Sequence, residues 1–179
     1  MSKEYHAAKA NPDDRYGPVS KSTLWAFDKS PWKWAMTFCQ DKPTAAMQLG
    51  TIVHAIALQP DDTGATFVVS EFDSFRTKEA KEWRDENQDA GKIVLTKAEY
   101  ETASLMACRA TAEISKAVGH DEYDTEVEVH SEFNGVKVCG LIDIVPDGKC
   151  DYLWDLKTCS AIGDGRALQR TIFDFGYHV

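Results

Sequence analysis

One doublet, Asn134-Gly135, constrains this chain more than anything else in it, because of what lies on either side. TEVEVHSEF before it alternates polar and apolar residues, and VKVCGLIDIV after it is rich in β-branched and apolar side chains. A two-residue hairpin turn needs positive φ at both central positions, and Asn and Gly supply that at least cost. Two antiparallel strands are therefore predicted on either side of the doublet. PDGKCD then turns the chain again into YLWDLKT, a third strand. The fold must be built around this meander.

Upstream of residue 119 the periodicity is helical. Residues 1–19 are polar, punctuated by Pro and Gly, and read as a poorly ordered or wrapping arm. Ser20 or Ser22 can cap a first helix, which Ser30-Pro31 breaks and restarts. Its aromatic content places Trp25, Trp32 and Trp34 in the core in preference to a base-stacking role. TAAMQLGTIVHAIAL, 44–58, reads as a mostly buried helix, in which Gly50 marks a close backbone approach. Residues 77–90 form an exposed, charge-laced helix. Thr96 and Glu99 form a capping box that opens another, closed by Gly119. A last helix starts near Asp164. The predicted class is α+β, with one domain over 20–179: N-terminal helices, a three-stranded antiparallel meander and a C-terminal helix.

Composition narrows the function. The chain has 179 residues, 43% of them hydrophobic and 27% charged, which suffices for a real core. No apolar run reaches the roughly 18 residues of a membrane span, and the first residues lack the apolar stretch of a secretory signal. A cytosolic protein is expected. Cysteines 39, 108, 139, 150 and 159 are scattered without CxxC spacing, which speaks against structural zinc and a disulfide framework. A net charge of −9 argues against a surface coated for non-specific nucleic-acid binding, though not against a local basic groove or an acidic metal site.

The meander poses a chemical problem. Strand alternation puts Asp155 and Lys157 on one face, with Tyr152, Trp154 and Leu156 on the other. If the turn is 147–151, Asp143 lies opposite Asp155 with Cβ atoms about 5 Å apart. Two carboxylates so placed repel, unless one is protonated or a cation sits between them. A hard divalent ion, Mg²⁺ or Mn²⁺, would resolve the conflict. The plainer reading is an Asp–Lys ion pair with Asp143 solvated at a strand end.

GLID, eleven residues and then DLKT resembles the signature of the PD-(D/E)XK nucleases, in particular the RecB/RecE-like branch of phage-type exonucleases. That branch also carries G-x-x-x-H on a helix before the sheet, matched here by Gly50-Thr-Ile-Val-His54. SKSTLWAFDKSPWKW is similar to its entry helix. The likeness spans residues 20–179. It implies a restriction-endonuclease-like core and metal-dependent hydrolysis of DNA phosphodiesters, most naturally at duplex ends during phage recombination. Asp143 would bridge the metal ions, and Asp155 with the Leu156 carbonyl would complete their coordination. His54 would add a nitrogen ligand or orient water, where the residue alone reads more readily as a satisfied core histidine. Lys157 would position or deprotonate the attacking water. The upstream acid is matched by Glu126, with Glu128 as competitor. Mg²⁺ is the implied cofactor, with Mn²⁺ substituting.

The implied partners are double-stranded DNA, further copies in a ring, and a single-strand annealing protein. A ring would need its basic residues clustered, for instance Lys29, Lys33, Arg76, Lys78, Arg166 and Arg170. The family pattern runs on past GYH to a glutamine and a tyrosine that help hold DNA, whereas FDFGYHV ends at Val179. An incomplete last helix is therefore expected, with metal binding retained and turnover in question. The rival readings are an impaired nuclease-fold module for DNA binding or assembly, and a nuclease of the same fold with an adaptation-type or restriction-type task. The missing four-cysteine iron–sulfur set counts against adaptation.

Overall fold

A computed structural model describes residues 18–32, 43–118, 123–147, 153–159, 165, 166 and 169. Helix α1 runs Lys21–Lys29, α2 Ala45–Leu58 and α3 Thr63–Thr66, the last preceded by a 3-10 turn at Pro60–Asp62. Strand β1 (Phe67–Val69), helix α4 (Lys78–Asp89) and strand β2 (Ile93–Leu95) follow, then helix α5 (Lys97–Val118). Strands β3 (Tyr123–Phe133) and β4 (Val136–Pro146) close the order. The class is α+β.

Local chemistry explains most boundaries. Ser20 caps α1, its hydroxyl accepting from the Thr23 amide, and Thr44 and Thr77 cap α2 and α4 in the same way. The capping box at α5 closes in both directions. The Thr96 amide donates to Glu99 Oε2 at 2.8 Å, and the Glu99 amide to Thr96 Oγ1 at 3.3 Å. Asn134 and Gly135 take φ of 50° and 79°, the mirror-image turn their types favour.

The core forms where α2 packs on α5. Ile52, Val53, Ala55, Ala103 and Ala107 are buried together with Phe67 and Leu95 from the two short strands. A second cluster joins Leu58 and Ile114 to Ile144 of β4, and Leu156 packs against both. The Thr125 hydroxyl donates to the Leu58 carbonyl at 2.8 Å, satisfying one of the free carbonyls at the end of α2. That contact ties the hairpin to the helix carrying His54.

The structure corrects the predicted element order in three places. β1 and β2 form a parallel pair, Phe67↔Ile93 to Val69↔Leu95, that was not expected among the helices. Three-residue strands are too short to show a period. The third antiparallel strand reduces to a single bridge, Ile144↔Trp154, among the described residues. Its register is the one a 147–151 turn sets. Trp25 and Trp32 are not core: Trp25 is 46% exposed and Trp32 77%, and α1 buries none of its residues. Apolar composition showed that this segment could be covered but not that these contacts cover it.

Of residues 1–19 only Pro18 and Val19 are described. Val19 pairs in parallel with Val138, giving β4 a second neighbour on that side. Trp34, Gly119, Lys33, Arg170 and nearly all of the expected last helix lie outside the described residues. No helix among the described residues is long and apolar enough to cross a membrane.

Candidate metal centre

Helix α2 presents Gly50 and His54 four residues apart, on one face. Both meet the segment 156–158. A Cβ on Gly50 would lie 3.1 Å from Thr158 Oγ1, so this position needs the space that glycine leaves. One turn on, His54 Nε2 lies 2.5 Å from the Leu156 carbonyl oxygen. A carbonyl only accepts, so Nε2 carries the proton. Nδ1 then faces Glu126 Oε1 at 3.6 Å and Asp143 Oδ2 at 3.7 Å.

Asp143 comes from β4, and its environment accounts for the ladder stopping at Ile144↔Trp154 among the described residues. Continuing the ladder from Ile144↔Trp154 would send the Leu156 amide to the Ile142 carbonyl. Instead that amide donates to Asp143 Oδ2 at 2.7 Å, while the Leu156 carbonyl takes His54. Both ladder groups of Leu156 are spent on the site. Asp143 is buried, 7% exposed, which removes the reading of a solvated aspartate at a strand end.

Glu126 comes from β3, where it and Asp143 fall unpaired between Thr125↔Ile144 and Val127↔Ile142. It is one of two non-glycine residues with positive φ among the described residues, at 54°. A left-handed backbone costs about 1–2 kcal/mol at a non-glycine position. The side chain it carries is 4% exposed, and Oε2 is buried with no hydrogen-bond partner. Glu128, its competitor in the sequence, points elsewhere and pairs with His130 at 2.8 Å. No pattern in TEVEV separates the two acids, because the decision lies in one backbone dihedral.

His54, Glu126 and Asp143 thus offer one nitrogen and two carboxylate oxygens, all within 4.8 Å of one another. The 3.6 and 3.7 Å separations are too long for hydrogen bonds. A hard cation that accepts oxygens at about 2.1 Å can bridge them. A ring nitrogen facing two carboxylates, one with an orphaned buried oxygen, calls for a positive charge, which a proton on Nδ1 or a cation can supply. These residues therefore fit a divalent cation.

Asp155 and Lys157 stand at the rim rather than in the trio. Lys157 Nζ donates to Asp155 Oδ1 at 2.7 Å and reaches Asp143 Oδ2 at 3.8 Å. The Leu156 carbonyl, expected as a ligand, is held by His54, and Lys157 Nζ lies 3.4 Å from it. The Leu156 amide was missed as Asp143's hydrogen-bond donor, since every residue but proline has one and sequence cannot flag it.

The electrostatics follow. Burial alone would lower the His54 pKa, yet Glu126, Asp143 and the Leu156 carbonyl together lift it above its ordinary 6.5. Burial raises the Asp143 pKa above 3.8, with Asp155 adding to the rise and the Leu156 amide, His54 and Lys157 opposing it. Without a cation the site favours extra protons.

No family model, curated protein or solved structure matches the chain.

Proposed function

We propose that the protein is a metal-dependent deoxyribonuclease that hydrolyses DNA phosphodiester bonds, with duplex ends as its substrate. The observation that carries this reading is the convergence of His54, Glu126 and Asp143 beside the Asp155–Lys157 pair. Those are the residues through which the sequence resembles the PD-(D/E)XK nucleases. Four sequence-distant segments contribute to the group, which chance rarely assembles around an orphaned buried carboxylate.

His54, Glu126 and Asp143 would hold the divalent ion, Mg²⁺ or Mn²⁺. When bound, such an ion supplies a water nucleophile at neutral pH and neutralises charge on the phosphate. The protein's own residues set the rest. The Leu156 amide fixes the Asp143 carboxylate, and the Leu156 carbonyl fixes the ring plane of His54. Lys157, partly exposed at 39%, can turn from Asp155 toward an incoming phosphate or a water proton. Asp155 positions that ammonium.

The test is degradation of end-labelled linear duplex DNA in Mg²⁺ or Mn²⁺, with circular duplex alongside. Loss of linear but not circular substrate is expected, and Lys157→Ala should lower the rate at least a hundredfold while leaving the melting temperature unchanged, on the scale of one positioned acid–base group. Inert wild-type protein that still binds duplex would support a DNA-binding module in place of the nuclease.

A further inference from the structure

Glu126 breaks a rule that its surroundings do not require it to break. The other non-glycine residue with positive φ among those described is Asn134, in a turn that demands it. Glu126 sits within β3, not in a turn. The register is the same on both sides, Thr125↔Ile144 and Val127↔Ile142, so no inserted residue forces the kink. The kink serves to aim a carboxylate. That side chain is 96% buried, since 4% is exposed, and it puts Oε1 toward His54 and leaves Oε2 unpartnered. Two penalties, a left-handed backbone and an unmet buried oxygen, fall on one residue, and no contact within the described protein offsets either.

We infer that Glu126 is a cation-coupled kink, in which binding of a divalent ion at His54, Glu126 and Asp143 holds the left-handed backbone and tightens the β3–β4 ladder across 125–127 and 142–144. This rests on the cation reading above. The coupling is mechanical. Glu126 and Asp143 sit across from each other between two paired positions, so a cation joining them clamps the strands where direct pairing is missing. Cation affinity and local order are then linked, each strengthening the other.

Two measurements without DNA test this. In the first, hydrogen exchange read by mass spectrometry compares the unsubstituted protein with and without Mn²⁺. Exchange in peptides covering 125–127 and 142–144 should slow at least tenfold, and at the Phe133–Val136 tip it should not change. Slowing at the tip as large as that at 125–127 and 142–144, or no slowing at those positions, overturns the coupling. In the second, Glu126→Gly and Glu126→Ala are melted in chelator. Both lose the carboxylate and share any folding defect from that loss. Glycine should melt higher, because alanine inherits the unfavourable φ. The opposite order would mean an extended backbone and overturn the kink. Mn²⁺ should not slow exchange in Glu126→Gly, and retained slowing would also sink the coupling. If Mn²⁺ changes neither the wild type nor Asp143→Asn, the cation reading itself fails, while the chelator comparison still decides the kink.

Discussion

Asp143 and His54 make the metal-free protein sensitive to pH in one direction. His54 has a folded pKa above 6.5, so its stabilising contribution is complete below that value and is lost as pH rises through the folded pKa. Asp143 is shifted up from 3.8, so its neutral form is the favoured one and its ionisation on raising the pH also weakens the fold. In chelator the melting temperature should therefore fall as pH rises from mild acid to 8. His54→Gln should flatten the upper part of that curve, from about pH 6.5, the unperturbed value for imidazole. Mn²⁺ should reverse the slope, since these ligands bind metal in their deprotonated forms. Calorimetry across pH checks all three. The resemblance named the three side chains of the trio and put Glu126 ahead of Glu128, though the alternation of TEVEV by itself does not separate the two acids. The resemblance also implies Asp155 as a ligand, and in the structure Asp155 pairs with Lys157 beside the trio.

The contact between α2 and the 156–158 segment shows how an element's packing can override its propensity. Alanine in place of a mid-helix glycine normally gains about 1 kcal/mol. At Gly50 the added Cβ would meet Thr158 Oγ1 at 3.1 Å, so the Thr158 side chain must give by a few tenths of an ångström. Gly50→Ala alone should therefore gain little or lose stability. With Thr158→Ala as background, the same change should recover about 1 kcal/mol. Urea unfolding of the four proteins in this cycle reads the coupling. The elements themselves were largely legible: the caps at Ser20 and Thr96 and the Asn134-Gly135 turn follow from side chains within three residues of the backbone they serve, whereas Thr44 and Thr77, read from sequence as parts of their helices, turn out to be caps. β1 and β2 were not, because a three-residue parallel pair is held by partners 26 positions away and leaves no local signature.

At the scale of the whole molecule, the site is where the helical layer and the hairpin meet. Leu156 packs on both core clusters while its backbone serves Asp143 and His54, so core and site share a residue. A cation there should stabilise the whole domain rather than one loop. Mn²⁺ at a hundred times its dissociation constant should add about 2.7 kcal/mol to unfolding. Asp143→Asn should abolish that increment, and melting curves against Mn²⁺ concentration measure both. An unchanged increment in Asp143→Asn would place the cation elsewhere.

Sequence by itself determined the α+β class, the hairpin with its turn, the helices with the caps at Ser20 and Thr96, and a short list of residues able to carry metal chemistry. Each rests on forces acting within a few residues: dihedral preference, capping, and apolar periodicity. Tertiary structure alone decided that Glu126 turns inward, that Asp155 pairs with Lys157, that Leu156 gives both backbone groups to the site, and that Trp25 and Trp32 stay exposed. Those outcomes depend on which distant segments arrive together, and a residue's own neighbours in the chain carry no record of that.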